Sequence, residues 1–358
     1  MYFNMKHISS TSYDVYFEHQ AELELRKLSE NNTYSSYFVL VDDNTKKCCL
    51  AQFESLVHSD FSYTCIEIPS GEEHKNVESC NIVWQCLTEN NADRKSLLIN
   101  LGGGVLTDLG GFCAATYKRG IDFINIPTTL LSMVDAAVGG KTGIDFNGLK
   151  NHIGVFSNAK MTLVIPSFLK TLDERQIKNG LAEMIKHGLI YDESHFSAVI
   201  SDFSAYKNLI AQSVYIKHQV VTEDPKEQGL RKILNFGHTL GHAIETYMIE
   251  DSSKEALFHG EAIGIGMILE AYLSYKLTHL SEKDLALITN SITPLYRKVD
   301  FTAEDIEKIL QLSLHDKKNK KGRVMFVLLQ NIGEARYDVQ VEKELILEAF
   351  EYYQKIYD

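Results

Sequence analysis

The stretch SLLINLGGGVLTDLGGF, residues 96–112, decides the fold. Ser96–Leu101 is an apolar run without polar alternation, which suits a strand covered on both faces. It passes directly into Gly102-Gly103-Gly104 and then into a segment with helical spacing. A strand, a tight turn and a helix in immediate succession are the unit of a parallel α/β sheet. Glycines at such a turn let backbone N–H groups approach a diphosphate, and the helix N-terminus adds a field favourable to anions. The pattern is not G-x-G-x-x-G. A plain strand-to-helix turn is the competing reading of the loop alone.

Flanking segments extend the pattern. Tyr37–Val41 reads as a buried strand ending at Asp42-Asp43, Tyr63–Ile68 as a second, and Phe123–Ile126 as another closed by Pro127, while Asn76–Leu87 has helical spacing. Beyond Pro166 the chain reads mainly as helices. N-cap signals stand at Thr171–Glu174, Ser281–Asp284 and Thr302–Asp305, and a late hairpin is expected over Val324–Leu329 and Ala335–Val339. The expected architecture is α/β: a mostly parallel nucleotide-binding domain over 1–167 and a helical domain over 168–358.

The bulk numbers agree with two domains. The chain has 358 residues, 44% hydrophobic and 23% charged. Its six cysteines form no C-x-x-C pair, so reduced thiols in a cytoplasmic protein are expected. The net charge of −12 argues against a nucleic-acid partner. No apolar run approaches the roughly 18 residues of a membrane span. Met1–Tyr16 shows no leader pattern.

Two constellations carry chemistry. Glu183 lies in LAEMIKH (181–187), His238 and His242 fall four apart in NFGHTLGH (235–242), and His259 opens HGE (259–261). Two imidazoles and a carboxylate form a metal set with open positions, zinc being the first choice and cobalt an alternative. Spacing alone leaves structural histidines equally open, and leaves His242 as a ligand or a neighbour. Cations also recur inside glycine-rich or apolar stretches: Arg119, Lys141, Lys150, Lys186, Lys217 and Arg231. Singly each reads as a surface or snorkelling cation; together they suggest a pocket for carboxylate and phosphate. Glu72 and Lys75, three apart, could hold ribose hydroxyls and a base, or be a solvated helix end.

These motifs, GGGVLTDLGGFCAATYKRG (102–120), IPTTLLSMVDAAVGGKTGID (126–145), LKN (149–151), NGLAEMIKHG (179–188), LNFGHTLGHAIE (234–245) and FHGEAIGIGM (258–267), resemble the 3-dehydroquinate synthase family from about Val39 to Leu329. The resemblance implies an NAD-binding α/β domain, a helical metal domain and an active site between them. It implies Glu183, His238 and His259 as zinc ligands and Gly103, Gly104, Val105 and Asp108 as the NAD loop. Glu72, Lys75, Thr128, Thr129, Lys141, Lys150 and Asp43 (with Asp42 its alternative) would be further cofactor contacts. Asp135, Lys141, Lys150, Asn151, Lys186, Lys217, Glu227, Arg231, Asn235 and His242 match substrate-pocket residues. Lys318 (with Lys317 its alternative) matches a phosphate contact. Arg119 matches a residue that reaches the pocket across a homodimer interface. Two departures stand out: extra residues around Asp251–Glu255, and Met133 where many relatives carry Gln.

The implied reaction converts 3-deoxy-D-arabino-heptulosonate 7-phosphate, a small anionic phosphorylated sugar acid, to 3-dehydroquinate and phosphate. It combines transient oxidation by NAD, phosphate elimination, re-reduction and an internal aldol step. Lys141 and Arg231 would take the substrate carboxylate, and Lys150, Asn151, His242, Lys318 and Arg119 the phosphate. The rivals are a cyclase for another sugar phosphate, a metal-dependent polyol dehydrogenase and a non-catalytic nucleotide-binding subunit. The first rival's substrates lack the carboxylate that Lys217, Arg231 and Asn235 together favour. The second would consume NAD stoichiometrically and would not need so many cations. The full set of metal and cationic positions argues against the third.

Overall fold

The computed structural model describes residues 5–10, 12–31, 33–147, 149–314 and 324–356. It forms two compact units, Met1–Ile177 with Ile210–His218, and Lys178–Leu209 with Gln219–Asp358. The boundary expected at 167/168 assigned Ile210–His218 to the second domain; the contacts place it in the first unit.

The first unit carries strands β1 (His7–Ser9), β2 (Asp14–Phe17), β3 (Tyr37–Asp42), β4 (Thr64–Ile68), β5 (Leu97–Gly102), β6 (Asp122–Pro127), β7 (Lys141–Phe146), β8 (Leu149–Phe156) and β9 (Met161–Val164). Helices α1 (Glu18–Glu30), α2 (Asp43–Cys48), α3 (Leu50–Leu56), α4 (Val77–Glu89) and α5 (Gly104–Thr116) connect the earlier ones. One sheet runs in the order β1-β2-β9-β6-β5-β3-β4; β1 is antiparallel to β2 and the other pairings are parallel. β7 and β8 form a separate antiparallel hairpin.

Strands β3 and β5 are buried along almost their whole length, as their continuous apolar sequences require. Phe38, Leu40, Ile66 and Leu98 from the sheet share a core cluster with Val83 and Leu87 of α4 and Leu106, Leu109 and Phe112 of α5. Each such side chain contributes about 1.5–3 kcal/mol by leaving water. Asn100 breaks the apolar run of β5 for a reason. Its amide donates to the Asn125 side chain across the sheet at 2.9 Å. Asn125 in turn donates to the Ala137 carbonyl, which also accepts from Thr162.

The second unit is mainly helical. It holds most of α6 (Glu174–Tyr191), α7 (Glu193–Ser201), the end of α8 (Ile210–Glu223), α9 (His238–Glu250), α10 (His259–Leu277), α11 (Glu282–Ile292), α12 (Ala303–Leu314) and α13 (Lys343–Lys355). The expected late hairpin is β10 (Met325–Asn331) with β11 (Glu334–Gln340). Ser281 caps α11, and Thr302 with Asp305 forms a reciprocal box at the start of α12. The expected box at Thr171 is different: Asp173 accepts the Gln176 N–H, while Thr171 closes a 3-10 turn (Pro166–Thr171) that Pro166 starts. Lys150 and Asn151 lie within strand β8.

Candidate active site

In the first unit the chain leaves β3 for β4 on one side of the sheet and returns to β5 on the other. Ligands of open α/β sheets settle at such a reversal, outside the carboxyl ends of the strands. Asp43 follows β3 there, and the glycine loop follows β5. Gly103 is the N-cap of α5 and, among the described residues, no side chain caps that helix, so its first N–H groups remain available to an anion. A Cβ on Gly103 would stand 3.2 Å from Thr129 Cγ2. Thr128 donates its N–H to the Gly102 carbonyl, and Thr129 Oγ1 accepts from Ser132. The loop is therefore braced from behind by both threonines. Asp42 and Asp43 separate in role: Asp42 is spent on a capping box with Thr45, whereas Asp43 is exposed and accepts the Ser70 N–H at 3.0 Å.

Lys75, only 3% exposed, ties this region together. Its ammonium lies 2.7 Å from Asp108 Oδ2 and 2.7 Å from Asn151 Oδ1, with Glu72 at 3.9 Å. Burial pushes the ammonium towards neutrality, but Asp108 and Glu72 outweigh it and raise its pKa. Burial raises the Asp108 carboxyl, and Lys75 opposes that rise. The surface-pair reading of Glu72 and Lys75 thus fails for the lysine. The same cluster includes Asp145, which sequence reasoning missed: its carboxylate accepts the Asn151 N–H and its own N–H donates to the Lys75 carbonyl. Asn151 sits at φ 51°, a left-handed value that asparagine tolerates better than most residues. Lys217 donates to both the carbonyl and the carboxylate of Asp135, at 2.6 and 2.7 Å. Arg119 is exposed at φ 68° at the end of a 3-10 turn, and exposed Lys141 and half-buried Lys150 lie on the β7–β8 hairpin.

In the second unit Glu183 of α6, His238 of α9 and His259 of α10 converge. Glu183 Oε1 lies 3.4 Å from Nε2 of His238 and 3.4 Å from Nε2 of His259. Lys186, one turn on, is buried and paired to Oε2. His242 joins the two other imidazoles, with its ring centroid 5.0 Å from that of His238. The tautomers follow from the partners. His238 Nδ1 lies 3.0 Å from the Phe236 carbonyl, which can only accept, so Nδ1 carries hydrogen and Nε2 turns its lone pair inward. His259 Nδ1 faces the Glu245 carboxylate at 3.4 Å, with the same consequence.

Two lone pairs and a carboxylate oxygen directed at one another require a cation. Neither Glu183 oxygen finds a well-formed hydrogen bond among the described residues, although the residue is fully buried. An edge of a zinc tetrahedron with bonds of about 2.0–2.1 Å spans about 3.3–3.4 Å, so the residues present fit a divalent metal. Without one, protons take its place. Burial pushes the Glu183 carboxyl up, but Lys186 and His238 hold it well below the usual carboxylate range. Burial and Lys186 press His238 down to about 4. Burial also disfavours charge on His259, but Glu183 and Glu245 outweigh it and raise its pKa to about 10.

The glycines around these histidines serve helix crossing rather than nucleotide binding. A Cβ on Gly266 of α10 would collide with the Gly237 carbonyl and stand 2.9 Å from the Gly241 nitrogen. Gly237, at φ 77°, caps α9 and has no side chain to offer its N–H groups. Glu270, fully buried on α10, supplies the acceptor: it takes the N–H groups of Gly237, Thr239 and Leu240 at 2.7, 3.1 and 3.3 Å. Asn179 of α6 likewise accepts the Gly260 N–H at the start of α10, at 2.5 Å. The helices α9 and α10 are thus each held at their origin by a side chain of another of the three helices. Upstream of α9, Asn235 donates to Glu227 at 2.7 Å, and buried Arg231 donates to the Pro225 carbonyl at 2.7 Å. Lys318 and Lys317 lie outside the described residues.

The comparisons with known proteins match both halves. The model of the 3-dehydroquinate synthase N-terminal region covers residues 65–179, and that of the C-terminal region covers 180–319. A 3-dehydroquinate synthase of Parabacteroides distasonis is 42% identical over 338 residues, 93% of this chain and 95% of its own.

The chain belongs to the 3-dehydroquinate synthase family.

Another relative of that name, from Thermoanaerobacter pseudethanolicus, is 37% identical over 95% of this chain and 97% of its own. Among solved structures, the 2-epi-5-epi-valiolone synthase ValA of Streptomyces hygroscopicus subsp. jinggangensis, with NAD+ and Zn2+ bound, superposes with a TM-score of 0.84 at 25% identity, covering 99% of both chains. A 2-deoxy-scyllo-inosose synthase complexed with carbaglucose-6-phosphate, NAD+ and Co2+ gives 0.81 at 23% identity, covering 95% of this chain and 96% of that one, and shares the fold. Membership makes the chain a lyase.

Proposed function

We propose that the chain converts 3-deoxy-D-arabino-heptulosonate 7-phosphate to 3-dehydroquinate and phosphate, with the residue roles set out below. The observation that carries the chemistry is Glu183: a fully buried carboxylate facing two imidazole nitrogens at 3.4 Å. When bound, the metal supplies Lewis-acid polarisation of a substrate hydroxyl, and NAD supplies reversible hydride exchange at its carbon. Glu183, His238 and His259 hold the metal. The N–H groups of Gly103, Gly104 and Val105 take the cofactor's diphosphate, with Thr128 and Thr129 behind them. Asp43, Glu72, Lys75 and Asp108 orient the rest of NAD; Asp43 is preferred to Asp42, whose carboxylate is used as a cap.

Lys141 and Arg231 take the substrate carboxylate. Lys150, Asn151, His242 and Lys318 take the phosphate, with Arg119 from a second subunit. Asp135, Lys186, Lys217, Glu227 and Asn235 complete the substrate contacts. Cations specific to carboxylate and phosphate distinguish this reading from a polyol dehydrogenase. The metal reading favours zinc, with cobalt as a substitute.

We assign the second subunit to another copy of this chain. The support is β8: it pairs only with β7 among the described residues and leaves Leu149, Ile153, Val155 and Phe156 exposed. An open strand edge with exposed apolar side chains favours pairing with another strand. A cytoplasmic location is proposed on the six free cysteines. Among the described residues no helix is long and apolar enough to cross a membrane.

The test is phosphate release with zinc and catalytic NAD while absorbance of NADH is followed. Stoichiometric phosphate without accumulating NADH is expected. Steady NADH production from simple polyols, with no phosphate released, would refute the reading.

A further inference from the structure

The helix α9 carries three ionisable groups at the spacing i, i+4, i+7: His238, His242 and Glu245. Such residues share one face. The first two already belong to the metal cluster. The third is 4% exposed, and its Oε2 lies 3.4 Å from Nδ1 of His259, the ligand at the start of α10. A buried carboxylate requires a compensating partner. Here that partner is the outward nitrogen of an imidazole whose other nitrogen faces Glu183.

We infer that Glu245 is a positioning residue for the metal: its carboxylate receives the Nδ1–H of His259, fixes the ring with Nε2 towards Glu183, and raises the donor strength of that nitrogen. The inference rests on the metal reading of Glu183, His238 and His259. His238 receives the same service from a neutral backbone carbonyl, Phe236 O. The two imidazoles are therefore unequal donors, and the anionic partner makes His259 the stronger one. Glu245 also links helices reciprocally: α9 orients the histidine of α10 through Glu245, while α10 caps the origin of α9 through Glu270.

The experiment is zinc retention under chelator competition for the wild type, Glu245→Gln and Glu183→Gln, with the thermal midpoint of each metal-free protein recorded alongside. Glu245→Gln keeps the shape but offers a neutral partner. Its zinc affinity should fall about 10–100-fold, the range for hydrogen-bonding partners of metal ligands, while the metal-free midpoint stays near that of the wild type. Wild-type affinity in Glu245→Gln, together with weak binding in Glu183→Gln, overturns the inference and leaves the metal reading intact. So does a lowered metal-free midpoint with unchanged affinity, because that marks a packing role alone. Undiminished affinity in Glu183→Gln overturns the metal reading and the inference with it. Should Glu245→Gln fail to fold, histidine-selective nitrogen NMR of the zinc-loaded wild type decides. A protonated Nδ1 on His259 supports the inference, and a protonated Nε2 defeats it.

Discussion

The two units use glycine and buried charge in opposite ways. In the first, Gly103 leaves room in front of a helix N-terminus, and a methyl group there would meet only the Thr129 side chain at 3.2 Å. In the second, Gly266 lets two helices touch, and a methyl group would strike the Gly237 carbonyl. The charges differ likewise. Lys75 and Asp108 compensate each other beside exposed groups, whereas Glu183 and Glu270 are fully buried, the first facing two imidazoles and the second capping a helix. One unit keeps its backbone open to a ligand; the other has already spent its polar groups on holding three helices around a point.

The largest effect that sharpens this contrast is Glu183→Gln. Removing the anionic donor from the metal set should lower zinc affinity and turnover by more than about a hundredfold, beyond what an outer partner costs. NAD affinity, measured by calorimetry on the metal-free protein, should be unchanged. A comparable loss of NAD affinity would show the two functions to be less separable than the residues suggest.

The same substitution placed in each unit comes next. Gly266→Ala should destabilise the fold by about 1–3 kcal/mol through overpacking, read as a lowered denaturant midpoint. Gly103→Ala, at φ −76°, needs no strained backbone. It should leave the midpoint nearly unchanged and raise the KM for NAD about tenfold, about 1.4 kcal/mol. Equal loss of stability in both variants would break the comparison. Glu270→Gln follows: replacing the anion that accepts three N–H groups with a neutral amide should cost about 1–2 kcal/mol, again in the denaturant midpoint.

The contrast also governs what the sequence discloses. Residues 96–108 are legible because strand, turn and helix follow one another, so local pattern suffices. The metal set is not local. Its three residues sit on α6, α9 and α10, and they meet through Asn179 on Gly260 and Glu270 on Gly237, pairings without a sequence period. Resemblance to a family singled out the three residues proposed as ligands; spacing alone left them open. Glu245 had a signal, its i+7 relation to His238, but one ionisable residue on a helix face is usually solvated. β1 and β2 are too short to show alternation, and β8 is exposed on both faces, so it has no pattern to read. Asp145 became visible only once β7 and β8 brought it to Asn151 and Lys75.

The smallest expected effect concerns the extra residues around Asp251–Glu255, which lie just before His259. Lys254 within them reaches Asp305 at 2.9 Å, and Tyr247 of α9 donates to the same carboxylate. Burial favours protonation of Asp305, but Lys254, Tyr247 and the Thr302 N–H outweigh it and hold the carboxyl well below its usual range. A carboxyl depressed in the folded state stabilises fully above its unfolded pKa, about 3.9, and that stabilisation is lost as pH falls towards the folded value. Asp305→Asn should therefore lower the thermal midpoint at pH 7 while losing less stability than the wild type as pH drops below about 4. Zinc affinity at neutral pH should change little, since Asp305 touches no ligand directly. A marked fall in zinc affinity would instead make the inserted connection part of the machinery that places His259.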